Sequence, residues 1–286
     1  HGNLRTADDS LPQRPPEADV YLHRRALFEG LPLEMQASAQ SVYFHRRNGT
    51  QGARHDVHPQ VVLPVNGQYG SVISTVGLRQ TVYDTERRQS QSLDDGDASG
   101  EARTLPDYNV AASTEFARVY RMESAPLTLS AELVGQSRWT GIRHAVQPRV
   151  EYNNLPLVNQ RDNPRYDDDD RIGARNELVY SISNVFTRKR EMVRMKTNDE
   201  GESEPDLGTD YLEFLRVKLQ SGYDIREANR DDDLDTYERR PMLDYRAEVE
   251  YLPVSWLSWR SLTAWSPYTG DSTQHDHSLS LIDPDR

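Results

Sequence analysis

Apolar and polar residues alternate along most of this chain, and a two-residue period rather than a helical one organises it. The alternation is clearest where Leu243, Tyr245, Ala247, Val249 and Tyr251 interleave with Asp244, Arg246, Glu248 and Glu250. Leu33, Met35, Ala37 and Ala39 alternate in the same way with Glu34, Gln36, Ser38 and Gln40, and Tyr108, Val110, Ala112, Thr114 and Phe116 alternate with Asn109, Ser113 and Glu115. Successive side chains of a strand point to opposite faces, so each segment reads as a half-buried strand with one apolar face. Further strands are predicted over 18–28, 55–65, 69–84, 127–138, 143–153, 176–187, 211–224, 255–266 and 274–282. The pattern therefore predicts about twelve strands. Residues 211–224 can be forced onto a helical period through Leu212, Leu215 and Leu219, but Tyr211, Leu215, Val217, Leu219 and Tyr223 fit a strand better.

The connections are of two kinds. Short turns are expected at Val65-Asn66-Gly67-Gln68, where Asn-Gly supplies the positive φ of a tight hairpin, and at Leu252-Pro253-Val254-Ser255. Long polar loops cover 84–107 with Asp94-Asp95-Gly96-Asp97, 156–175 with Asp167 to Asp170, and 224–240 with Asp231-Asp232-Asp233. Short turns at one rim and long loops at the other are the asymmetry of outer-membrane barrels. The 187–210 connection should be short on this scheme, yet it carries Asn198-Asp199-Glu200-Gly201-Glu202, so either strands extend into it or it is an insertion.

Composition narrows the fold. Leu, Ile, Val and Phe make up only about a fifth of the chain, the edge at which a soluble domain stops burying enough apolar surface. The 15 Tyr and 4 Trp, spread through the alternating segments, argue against disorder. No run approaches the ~18 apolar residues of a membrane helix, and residues 1–30 lack a basic segment followed by an apolar run, so no signal peptide is expected. What remains is a soluble antiparallel β protein or a membrane β-barrel, whose strands need only every second residue to be apolar. Several candidate strands reach the ~9–11 residues that a tilted strand needs to cross a bilayer. Tyr43, Phe44, Tyr69, Tyr83, Tyr108, Tyr120, Trp256, Trp259 and Trp265 gather near strand ends, as interfacial girdles do, although a sandwich core could also collect them.

Chemistry is sparse. The 34 Lys and Arg against 46 Asp and Glu leave a formal charge of −12, which turns away nucleic acid, and the absence of Cys excludes disulfides and thiolate metal sites. His55-Asp56-Val57-His58 and His275-Asp276-His277 are the histidine clusters; neither has a third ligand nearby, so they read as solvated or lumenal and no metal or cofactor is expected. The Asp167–Asp170 and Asp231–Asp235 runs lack the glycine and terminal glutamate of an EF-hand and read as solvated charge. There is no phosphate-binding loop, no nucleophile elbow and no carboxylate pair that the sequence can place across a substrate, so catalysis is not expected. Asn48-Gly49-Thr50 matches a glycosylation acceptor by spacing alone.

Particular segments carry a resemblance. His144-Ala145-Val146-Gln147-Pro148-Arg149-Val150-Glu151-Tyr152, then Leu155-Pro156, then Asp169-Asp170-Arg171-Ile172-Gly173-Ala174-Arg175-Asn176-Glu177-Leu178-Val179-Tyr180-Ser181-Ile182-Ser183-Asn184 resemble the barrel of the lipopolysaccharide-assembly outer-membrane protein, or organic solvent tolerance, family. Asp56-Val57-His58-Pro59-Gln60-Val61-Val62-Leu63-Pro64-Val65 and Val254-Ser255-Trp256-Leu257-Ser258-Trp259-Arg260, leading into Tyr268-Thr269-Gly270, fit as well. The resemblance implies an all-β, antiparallel up-and-down transmembrane barrel in the outer membrane of a Gram-negative bacterium. It also implies a barrel of about 26 strands in the whole protein, a preceding jelly roll that receives lipopolysaccharide from a periplasmic bridge protein, and a plug lipoprotein inside.

With about 10–13 strands, residues 1–286 are then expected to be an internal part of that barrel, without signal peptide, jelly roll, gate strands or closing strand. Family disulfides would lie outside this portion or be lacking. Leu243, Tyr245 and Val249 are expected to meet lipid, and Glu34, Gln36, Arg246, Glu248 and Glu250 to face the lumen. Divalent cations bridging Asp231, Asp232 and Asp233 to lipopolysaccharide phosphates are a further possibility under the same reading. A porin or receptor-type transporter, and a soluble carbohydrate-binding sandwich or glycan-acting enzyme, are the competing expectations.

Overall fold

The computed structural model describes residues 16–45, 50–87, 102–123, 125–161, 163–197, 201–254 and 256–281. Asp94-Asp95-Gly96-Asp97, Asn48-Gly49 of the acceptor triplet and Asn198-Asp199-Glu200 lie outside these residues. The fold is all-β and antiparallel. The strands are β1 (Glu17–Ala26), β2 (Glu34–Phe44), β3 (Thr50–Gly67), β4 (Gly70–Arg87), β5 (Ala102–Ser113), β6 (Phe116–Arg121), β7 (Ser137–Leu155), β8 (Arg175–Thr197), β9 (Ser203–Asp224), β10 (Tyr245–Val254), β11 (Leu257–Trp265) and β12 (Ser272–Leu281). They form one sheet in chain order from β1 to β12, up and down, with only β6 off the path where it pairs β7. The order does not close: β1 and β12 are its ends. A single helical turn, α1 (Ile225–Ala228), is capped by the Asp224 side chain, which accepts from the Glu227 N–H.

Several expectations are corrected. Residues 127–138 form no strand of their own: Ala131–Leu133 is a short 3₁₀ turn, and the missing strand is β6. β6 stops short of continuing β5 because the Thr114 N–H reaches the Pro148 carbonyl and Pro148 has no N–H to return, which interrupts the ladder at Thr114–Glu115. The 187–210 connection resolves in favour of strand extension, since β8 runs to Thr197 and β9 begins at Ser203. At the β3–β4 hairpin Asn66 and Gly67 are paired strand residues, opposite Ser71 and Gly70, and the tip is Gln68-Tyr69. The apolar register Val61↔Val76 and Val65↔Val72 carries the ladder past the Asn-Gly pair.

By contact density the chain divides into two compact units. One comprises His1–Ala112, Glu151–Leu178 and Asp224–Asn229; the other comprises Ser113–Val150, Val179–Tyr223 and Arg230–Arg286. The first unit carries a small core, formed by Val42 and Phe44 of β2, Tyr83 of β4 and Tyr166 from the β7–β8 loop. Phe44 and Tyr83 are therefore buried rather than part of an interfacial girdle, because Tyr166 stacks on Phe44 with ring centroids 4.5 Å apart.

Gly52 makes that stacking possible. A Cβ there would lie 2.1 Å from the Asp84 carbonyl oxygen and 2.7 Å from the Tyr166 hydroxyl, at a φ of +156°. Gly52→Ala should therefore cost about 1–3 kcal/mol in urea unfolding. Gly67→Ala, whose Cβ would meet only the Gly70 oxygen at 3.5 Å, should stay within about 0.5 kcal/mol.

Candidate functional site

Strand register sorts the side chains of each unit onto two chemically opposed faces. In the first unit, Gln36↔Gln60, Ser38↔His58, Gln40↔Asp56 and Val42↔Arg54 stand across β2 and β3, and Arg54↔Tyr83 and Asp56↔Thr81 continue the same rows into β4. Gln36 Nε2 donates to Gln60 Oε1 at 2.7 Å. The opposite face carries Val57, Val61, Leu63 and Val65 of β3 with Val72, Val76, Leu78 and Val82 of β4, all exposed, Val76 by 60%. Exposing such a row to water would waste the burial of each side chain, so this face calls for an apolar cover.

The second unit repeats the division. Glu250 stands between Arg216 and Arg260, and Glu248 opposite Lys218, with side-chain N–O distances of 4.0, 3.5 and 3.6 Å. Arg246, Glu248 and Glu250 share this charged face. The other face runs through Leu215, Tyr251, Trp259 and Leu279 in one row, and through Leu219, Ala247, Thr263 and His275 in another. Leu243, one of the residues expected to meet lipid, precedes β10, its N–H donating to the Gly222 carbonyl. On the apolar face a groove of about 410 Å³ is lined by Val150, Tyr180, Ile182, Leu219, Tyr245 and Trp265. His275 and His277 share that face with ring centroids 6.1 Å apart. Among the described residues no group of three His, Asp or Glu side chains gathers as metal ligands. Glu115, between β5 and β6, accepts from Gln147 Nε2 at 2.7 Å and pairs with Arg143.

One feature of the first unit was invisible in the sequence. The β7–β8 loop does not stand in solvent but folds onto the polar face, where Asp170 is fully buried. Its Oδ1 accepts from Arg54 Nη1 at 3.0 Å and from the Tyr83 hydroxyl at 2.9 Å, while Oδ2 accepts the N–H groups of Tyr166 and Asp167 at 2.6 and 3.0 Å. Asp167 caps the short turn Asp168–Asp170 and accepts from Arg54 Nη1 at 2.6 Å. Arg103 Nη1 donates to the Asp169 and Asp170 carbonyls and to Gln160, and its Nη2 to Thr81. The reading of Asp167–Asp170 as solvated charge is thereby corrected for Asp167 and Asp170. Arg54, more than a hundred residues away, neutralises both, whereas Asp168 remains exposed. Asp231 is exposed as expected, paired to Arg239.

The two strand motifs singled out in the sequence meet here. Glu151 accepts from Asn109 at 2.7 Å, and the Tyr152 hydroxyl donates to Asn176 at 3.0 Å. A sequence model of LptD, LPS transport system D, matches residues 3–284. The chain belongs to the LptD family. Among its relatives, the LPS-assembly protein LptD of Methylococcus capsulatus is 29% identical over 133 residues, and that of Neisseria meningitidis serogroup A is 28% identical over 134. These alignments cover 46% and 47% of this chain but only 11% and 14% of the relatives' lengths. The chain therefore spans a minor part of the LptD proteins it matches.

Two outcomes follow from the faces. Val76→Arg should cost about 2–4 kcal/mol when the parent folds into lipid vesicles, and Val76→Leu almost nothing; were this face in water, the arginine would stay within about 0.5 kcal/mol. Asp170→Asn leaves Arg54 paired to Asp167 but removes the second carboxylate from the dry site, and should cost about 1.5–3 kcal/mol. Limited proteolysis should then cut within 156–174, and Asp231→Asn should leave the digestion pattern unchanged.

Proposed function

We propose that this chain is part of the outer-membrane β-barrel that inserts lipopolysaccharide into the outer leaflet of a Gram-negative cell. What carries the reading is the pairing of family with surface: an LptD-family sheet whose exposed face is valine, leucine and aromatic, and whose other face is charged and hydrogen-bonded. In lipid every backbone donor and acceptor must be paired within the protein, and strands that hand their hydrogen bonds to neighbours satisfy this once the sheet is closed by further strands. The apolar face then meets acyl chains, and the groove beside Tyr245 and Trp265 accommodates one.

Glu34, Gln36, Arg246, Glu248 and Glu250 face the lumen in this reading. Lipopolysaccharide is amphipathic, so a polar lumen wall takes its saccharide while its acyl chains leave sideways. No bond is made or broken, and the chain acts by shape and solvation rather than as an enzyme. A plug lipoprotein occupies the lumen of the whole barrel, and a periplasmic bridge protein delivers the substrate through a jelly roll elsewhere in the parent protein. The support for these partners is family membership.

Depletion of the parent protein tests the reading. Surface lipopolysaccharide, measured by protease-free whole-cell labelling, should fall while uptake of small solutes stays constant. Loss of solute uptake with intact surface lipopolysaccharide would instead identify a porin or receptor-type transporter.

A further inference from the structure

The polar face of the first unit holds a cavity of about 240 Å³, lined by His58, Arg79, Asp107, Asn109, Asn153 and Arg175 among others. Its polar groups are held in place before any ligand arrives. His58 Nε2 lies 2.7 Å from Asp107 Oδ1, and Gln60 Nε2 donates to Asp107 Oδ2 at 3.4 Å. Asn109 Nδ2 donates to Glu151 at 2.7 Å and to Asn153 Oδ1 at 2.6 Å. Gly77 leaves room for the first pair: a Cβ there would sit 2.4 Å from Asp107 Oδ1 and 2.8 Å from His58 Nε2.

Donors are left over. Arg79 uses its Nε on both Asp56 oxygens at 2.9 Å, and among the described residues its two terminal amino groups have no acceptor. The Arg175 guanidinium has no hydrogen-bond partner among them either. Leu155 and Ile172 add an apolar side to an otherwise polar cavity.

We infer that this cavity binds a single sugar ring. Each ring hydroxyl both donates and accepts, and neighbouring hydroxyls match a carboxylate beside amide and guanidinium groups of fixed orientation. The C–H face of the ring suits Leu155 and Ile172. Arg79 is already neutralised by Asp56, so the cavity opposes one unpaired guanidinium, Arg175, to one carboxylate, Asp107; that balance fits hydroxyls better than a phosphate. The inference rests on the reading of the polar face as the path of a saccharide and names the place on it where a ring is held. The ring can belong to a free oligosaccharide or to a glycolipid.

The test uses the full-length parent protein in lipid nanodiscs and saturation-transfer NMR. One probe is a delipidated core oligosaccharide, the other the intact lipooligosaccharide. Saturable transfer to sugar protons is expected with wild type, and Asn153→Ala combined with Arg175→Ala should weaken it about tenfold or more. The double variant should keep the heat-modifiable gel band of the folded barrel, and Val61→Ala on the opposite face should bind as wild type does. If only the intact glycolipid responds and the double variant loses that response, the cavity reads a lipid-linked ring; if both probes respond and both weaken, it reads the ring whatever carries it. Transfer that is absent with both probes, or equal in wild type and a folded double variant, overturns the inference. The proposed function is judged separately: wild-type protein that restores surface lipopolysaccharide to depleted cells while binding neither probe sinks the cavity alone, whereas failure to restore it sinks the function.

Discussion

Backbone hydrogen bonding is the constraint on which the rest of this structure depends. A chain in contact with hydrocarbon cannot leave N–H or C=O groups unpaired, and an up-and-down sheet answers by giving every interior strand two neighbours. The ladders from β2 to β4 and from β9 to β12 run without a crossover, so each strand's partner is its neighbour in sequence. The break at Thr114–Glu115 sits opposite Pro148, the one residue type that cannot return the bond. With pairing fixed, every second side chain is free to be apolar, and a chain poor in Leu, Ile, Val and Phe can still present a largely apolar face in each unit.

The polar face obeys a different rule. Charges in the second unit pair across strands at the surface, and such pairs each contribute about 1 kcal/mol at most. In the first unit the β7–β8 loop removes Arg54 and Asp170 from water altogether, so desolvation must be offset by geometry. It is offset by number: Asp170 accepts four hydrogen bonds and Arg103 threads its guanidinium between two loop carbonyls and Thr81. A site built this way is costly to disturb and specifies one loop position.

The loop and the cavity share a frame. Ile172 and Arg175, immediately after the buried turn, line the cavity, and Leu155 borders it from the end of β7. Anchoring Asp170 therefore also sets where the Arg175 strand begins. The interactions that bury charge and those that leave donors open are successive residues of one segment, so an acidic run that reads as mere solubility in sequence acts as the hinge pin of the polar face.

Period-two alternation by itself determined that the chain is all-β and, for Glu34, Gln36, Arg246, Glu248 and Glu250, the face each side chain shares with its row, because parity along a strand is a local property; it counted 127–138 as a strand and missed β6. It also showed that the β8–β9 connection was anomalous. It could not place Asn66-Gly67, because hairpin register is decided by the apolar rows several residues away. Nor could it see that Phe44 and Tyr83 are covered, that Asp170 is dry, or that Gly52 and Gly77 make room for Tyr166 and for the His58–Asp107 pair. Those facts belong to residues that meet only after the β7–β8 loop has folded back, and no spacing in one dimension records a contact made across a hundred residues in three.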